Sequence, residues 1–310
     1  MLVWNAHKKK VRCLAFAPDG GALASAAERI TTVKLWNPTN GAPTGELAGR
    51  HGYVSGVAFS PDSKLIATTT MNSRVLIWEA KTHIAMGFPF DFQTRYAPAF
   101  APDGTALAAG GHNGVPVWAD PGSPPAPPPE NARGGEWRPS ARYTSDGGDA
   151  LTDRFDSVAF SPDGKWLAGH GLFRAVIWNR DEPSKPARVI PHSLETDFLS
   201  CCAFSPDSER LAIGFERNAE IHPVRGKSKP VILKGHTRFV RAVGFTPNGR
   251  TLMTACGDGC ARLWDAHAGE LRRTYDFGIG RLYSGAFSPD GLTCAAGGET
   301  GQIVVWDVEV

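Results

Sequence analysis

A five-residue phrase that returns seven times constrains this chain more than any other feature. It reads FAPDG at Phe16, FSPDS at Phe59, FAPDG at Phe100 and FSPDG at Phe160. It returns as FSPDS at Phe204, FTPNG at Phe245 and FSPDG at Phe287. Successive phenylalanines lie 43, 41, 60, 44, 41 and 42 residues apart. Self-similarity at one period marks a repeat architecture, in which each unit buries its apolar face only against its neighbours.

Each copy has the same setting. An alternating apolar run precedes it, such as VRCLAFA from Val11 or VSGVAFS from Val54. Alternation with period two marks a strand. Proline followed by Asp or Asn and Gly or Ser is a turn, because Pro presets φ and the last position tolerates φ > 0. A second strand follows, then a polar turn, then a third strand closing on an aromatic at Trp36, Trp78, Trp118, Trp178, Trp264 and Trp306. Repeat five places His222 in that slot. A weaker fourth strand leads into the next repeat. Four short antiparallel strands per period of about 42 residues predict one blade of a propeller.

The period and the Trp-Asp endings at Trp264-Asp265 and Trp306-Asp307 resemble the WD-repeat family over essentially the whole chain. The expected fold is all-β, a single seven-bladed β-propeller with four antiparallel strands per blade. MLVWNAH at the start reads as a fourth strand, so the N-terminal strand is expected to join the last blade and close the ring. Expected blades span about 8–50, 51–91, 92–151, 152–194, 195–235, 236–277, and 278–310 plus 1–6. The long third interval holds a Pro-rich insertion at about 119–142, expected as a surface loop with polyproline II character around PPAPPP and Trp137 as an anchor. It could also be the ligand of a Pro-recognising module. The resemblance leaves room for fusion to another domain in a longer protein.

Charge is nearly balanced, with 33 Lys+Arg against 31 Asp+Glu, which argues against a nucleic-acid binder driven by bulk charge. No apolar run reaches the roughly 18 residues that a membrane helix needs. Six cysteines are too sparse for a disulfide framework, so a cytoplasmic setting is expected. No nucleophile elbow, phosphate-binding loop or H-E-x-x-H motif is present. Cys256 and Cys260 flank one turn and have no second Cys/His pair at ligand spacing, so no metal and no cofactor are expected.

Within Lys234–Asp265 lie an imidazole, a hydroxyl and a carboxylate, the parts of a nucleophilic triad. The family resemblance gives them another role. WD repeats often carry a network of a His before the first strand, a Ser/Thr on the second, an Asp in the next turn and the third-strand Trp. The matching residues are His236, Thr254, Asp258 and Trp264. Blade one keeps His7 and Ser25, and blade two keeps Thr68 with Asn72. Blade six is expected to be the most regular.

The resemblance also implies that partners dock on the face around the channel. Six residues before each repeated Phe stand Lys10, Tyr53, Thr94, Arg154, Phe198, Phe239 and Arg281. Four before it stand Arg12, Ser55, Tyr96, Asp156, Ser200, Arg241 and Tyr283. Strict alternation would point both sets to one side. With Arg95 beside them, the candidate partner-binding residues are Lys10, Arg12, Tyr53, Arg95, Tyr96, Arg154, Phe198, Phe239, Arg241, Arg281 and Tyr283. Aromatic and Arg residues are the types enriched at hot spots. The expected function is therefore a non-catalytic scaffold or regulatory domain that binds protein or peptide, with an acidic or phosphorylated peptide as the matching chemistry. Two alternatives stay open on sequence alone: an enzyme with its site in the channel, and a nucleic-acid binder through a basic face.

Overall fold

A computed structural model of the chain describes residues 1–49, 52–87, 94–122, 139–145, 154–192 and 201–308. These form twenty-eight strands in seven four-stranded antiparallel sheets, arranged as a β-propeller. Among the described residues there is no helix, hence none long and apolar enough to cross a membrane.

Blade six shows the plan. Its strands are Val240–Phe245, Thr251–Cys256, Cys260–Asp265 and Leu271–Asp276, running from the channel outward. The second strand is buried at every position, whereas the outer strand is mostly exposed. Blade seven is made from both ends of the chain. Leu2–Asn5 pairs with Gln302–Asp307 in the register Leu2↔Val305 to Asn5↔Gln302. The ring is thereby closed without an open edge on that third strand.

The repeated phrase is the turn between the first two strands. Its fifth residue adopts the left-handed conformation in every blade: Gly20, Gly104, Gly164, Gly249 and Gly291 at φ 67–74°, and Ser63 and Ser208 at 60° and 62°. The aspartates accept backbone N–H bonds two residues on, as Asp19 does from Gly21 at 2.8 Å and Asp290 from Leu292 at 2.9 Å. They brace the turns from within.

Apolar packing lies between blades. One cluster joins Val115, Val117 and Tyr143 of blade three to Phe155, Leu167, Val176 and Trp178 of blade four. Another joins Ala24, Val33 and Leu35 of blade one to Val57, Phe59 and Ile66 of blade two. Each blade is held by its two neighbours, as expected of a repeat fold. The Pro-rich segment leaves blade three after Val115–Ala119 and returns at the outer strand Ala141–Tyr143. Its centre, with Trp137, lies outside the described residues.

Candidate functional site

Two constellations stand out, one inside blade six and one around the channel. In blade six the Trp264 indole N–H donates to Thr254 Oγ1 at 2.9 Å. That hydroxyl sits 2.6 Å from His236 Nε2, and the other ring nitrogen, Nδ1, lies 3.0 Å from Asp258 Oδ2. The Asp258 carboxylate can only accept, so Nδ1 carries the ring proton, and Nε2 of the neutral ring accepts from the Thr254 hydroxyl. The backbone N–H of Thr237 adds a bond to Asp258 Oδ2 at 3.1 Å. Every polar group of the set is satisfied, which is what burial demands.

Thr254 is fully buried and His236 nearly so. Burial pushes the His236 pKa down to about 4, against the pull of Asp258. The imidazole is therefore neutral and shut away from any substrate, and the arrangement is structural rather than nucleophilic.

The network has a fifth member that the sequence did not single out. Arg262 donates to Asp258 Oδ2 at 2.8 Å and its Nη1 lies against His236 Nδ1. Burial works against the Asp258 charge, yet hydrogen bonds from His236 and Arg262 hold its carboxyl well below the usual range. Donor atoms of His236, Cys256 and Asp258 do converge within 4.8 Å of one another. The guanidinium already supplies the cation there, and the Cys256 thiol donates to the Arg238 carbonyl at 3.0 Å. These residues fit a satisfied network better than a metal site.

Around the channel, the innermost strands share one irregularity. In blade one Val11 pairs with Ala27 and Cys13 with Ala26, leaving Arg12 as an extra residue. The same bulge leaves Ser55, Asp156, Arg241 and Tyr283 extra in blades two, four, six and seven. In blade three the register slips between Thr94 and Pro98, around Tyr96. Bulges re-aim side chains next to functional sites. Here Arg12, Ser55, Tyr96, Asp156, Arg241 and Tyr283 all line one cavity of about 630 Å³.

Simple alternation along the strand therefore fails. Of the set six residues before the Phe, Arg154 lines the cavity, whereas Lys10, Tyr53, Phe239 and Arg281 do not and stand just ahead of their strands. Cations and rings interlock at the mouth. Lys10 Nζ lies 5.0 Å from the Tyr283 ring centroid, and Arg241 stacks between Phe239 at 5.9 Å and Tyr283 at 5.6 Å. Arg154 covers Tyr96 at 5.1 Å and bonds Asp156 Oδ1 at 2.9 Å. Lys10 pairs with Glu28 at 3.1 Å, and Arg281 lies 4.0 Å from Glu299. Phe198 and Ser200 fall outside the described residues, as does the side chain of Arg95.

Met71 and His112 also line the cavity. Neither belongs to the inner strands counted from the Phe, which is why the repeat spacing missed them. Met71 N–H donates to the Tyr53 carbonyl at 2.8 Å, which joins the two backbones. Tyr53 is 49% exposed and Met71 48% exposed.

Seven four-stranded blades closed around a lined channel define a β-propeller. The WD40 family model (WD domain, G-beta repeat) matches residues 1–37, 41–79, 227–265 and 272–307. The chain belongs to the WD-repeat family. The matched segments leave out residues 80–226, from the outer strand of blade two to the third strand of blade five, where the Pro-rich insertion interrupts the period and His222 replaces the third-strand Trp.

Three relatives illustrate the range of similarity. An uncharacterized WD repeat-containing protein of Synechocystis is 30% identical over 136 residues, 44% of this chain and 38% of that one. The nuclear distribution protein nudF of Aspergillus niger is 23% identical over 301 residues, 87% of this chain and 62% of that one. The guanine nucleotide-binding protein subunit beta of Oryza sativa subsp. japonica is 25% identical over 291 residues, 88% of this chain and 73% of that one. The chain spans 38% and 62% of the lengths of the first two.

Proposed function

We propose that this chain is a protein-interaction scaffold whose partners dock over the mouth of the channel. The WD-repeat family, with relatives named as a nuclear distribution protein and a G-protein β subunit, supports a non-catalytic scaffold. The observation that carries the docking surface is the repeated bulge, which turns one side chain per blade into the channel at Arg12, Ser55, Asp156, Arg241 and Tyr283. A feature kept in five sheets with five different packing environments is a property of the face they share.

The chemistry of the mouth favours a particular ligand. Tyr53 and Met71 offer exposed apolar surface, of types suited to adaptable contacts. Arg12 and Arg241 face one cavity, and the single lining carboxylate among the described residues, Asp156, is engaged by Arg154. An acidic or phosphorylated peptide complements this surface. The six free thiols accord with a cytoplasmic setting.

The test is recovery of partners from native lysate by wild type and by a Tyr53→Ala/Met71→Ala/Arg281→Ala variant, both shown to be folded by circular dichroism. The expected result is a partner retained by wild type and lost by the variant. Equal recovery would move the docking surface away from the mouth.

A further inference from the structure

The face opposite the mouth is built from the Pro-Asp-Gly turns and the turns that precede each outer strand. A groove of about 580 Å³ lies there between blades four and five, lined by Trp166, Arg188, Val189, Arg225 and Lys227 among others. Its charged residues are all cations. The way they are held sets them apart. Elsewhere on this face Arg180 is tied to Asp103 at 2.8 Å and Arg272 to Asp265 at 2.7 Å, and Arg210, which donates to the Ala266 and Gly249 carbonyls at 3.0 and 2.9 Å, still has Asp207 3.8 Å away. In the groove, Arg188 donates to the Gly226 carbonyl at 3.0 Å, and Arg225 stacks 4.9 Å from the Trp166 ring centroid. Both are oriented, yet among the described residues no carboxylate lies within ion-pair reach of Arg188, Arg225 or Lys227.

The sign of this groove is also local. The groove between blades two and three is lined by Asp62, Asp103 and Asp120 and by no cation. Asp62 and Asp103 there are paired with Lys64 and Arg180, whereas among the described residues the cations of the basic groove have no carboxylate partner. The basic groove has an apolar side as well, since Val189 is 40% exposed. Its wall is Pro186–Pro191, the outermost strand of its sheet, whose outer edge pairs with no strand among the described residues. Free strand edges accept extended chains through backbone bonds.

We propose that this groove binds an extended acidic segment of a second protein, so that the propeller carries docking surfaces on both faces and can bridge two partners. Oriented guanidiniums lose little freedom when they meet carboxylates, which favours charge-assisted bonds. A nucleic acid is the competing polyanion. Three cations cover few phosphates, and the Trp166 face is already occupied by Arg225, which leaves no ring on which a base could stack.

The experiment uses octaglutamate carrying a benzophenone at its end, photo-crosslinked to the intact chain at low salt and mapped by mass spectrometry. Decathymidylate with the same label is the parallel probe. Octaglutamate is expected to crosslink within 187–189 or 225–227. In an Arg225→Gln/Lys227→Gln variant, which changes only exposed side chains, that yield should fall about tenfold. Labelling that avoids these segments, or a yield unchanged in the variant, would overturn the proposal. A decathymidylate signal at the groove stronger than that of octaglutamate would also overturn it, in favour of a nucleic acid. Crosslinks near Tyr53 or Met71 bear on the mouth alone.

Discussion

Each third-strand tryptophan brings an indole N–H into the space between blades, and the second strand either receives it or does not. Ser25, Thr68 and Thr254 accept it from Trp36, Trp78 and Trp264 at 2.7, 2.9 and 2.9 Å. The register places Ala296 in the same slot of blade seven, and there the buried Trp306 Nε1 has no partner among the described residues. An unpaired buried donor costs about 1–3 kcal/mol. Ala296→Ser should therefore raise stability by about 1 kcal/mol in urea denaturation, and Thr254→Ala should lower it by about 3 kcal/mol because both Trp264 and His236 lose their partner. The two turn serines show a similar exchange. Ser63 adopts φ 60°, yet its hydroxyl accepts the Asp19 N–H of the preceding blade at 3.0 Å. Ser63→Ala keeps the strain and loses the bond, so it should cost about 1 kcal/mol, whereas Ser63→Gly should be close to neutral in the same measurement. The resemblance to WD repeats is what named His236, Thr254, Asp258 and Trp264 from the sequence. Arg262 escaped because an Arg in an alternating strand reads as an ordinary outward charge, and only the fold shows that it reaches Asp258.

At the scale of the strand, the bulge is the device that matters. It inserts one residue between two paired positions, such as Val11, which packs toward blade seven, and Cys13, which packs toward blade two, and so frees the extra side chain to leave the sheet. The phenylalanine spacing made the equivalent positions countable, but alternation alone would also put Lys10, Tyr53, Phe239 and Arg281 in the cavity lining, where they do not lie. A hint was present in the residue types: a polar or aromatic residue recurs four places before the Phe, inside runs that are otherwise apolar or small. Inner strands also approach one another closely around the channel. A Cβ on Gly56 would lie 2.8 Å from the Ala97 Cα and 2.7 Å from Pro98 Cδ on the next blade. Gly56→Ala should therefore push blades two and three apart and destabilise the chain by about 1–3 kcal/mol, read from the denaturation midpoint.

For the whole molecule, closure and burial decide stability. Residues 2–5 complete blade seven, and their removal would expose the edge of Gln302–Asp307. Burial also holds several imidazoles neutral. It pushes His7 down to about 4, helped by Lys34, and His236 to about 4. His170, fully buried, is pushed to about 3 with help from His192. All three lie below the unfolded value near 6.5, so below that pH the unfolded chain binds protons that the folded chain refuses. Their stabilising contribution is complete above about pH 6.5 and is lost progressively as pH falls toward 4. The melting temperature should fall between pH 7 and pH 5, and a His7→Gln variant should show a shallower fall.

The central claim is that partners meet this propeller at the channel mouth. The most direct measurement replaces Tyr53, and in a separate variant Leu292, with a photo-crosslinking amino acid. Leu292 is 64% exposed on the opposite face, in blade seven. A partner captured in cells from position 53 and not from 292 is the predicted result. Capture from 292 alone, or the same proteins from both, would contradict it.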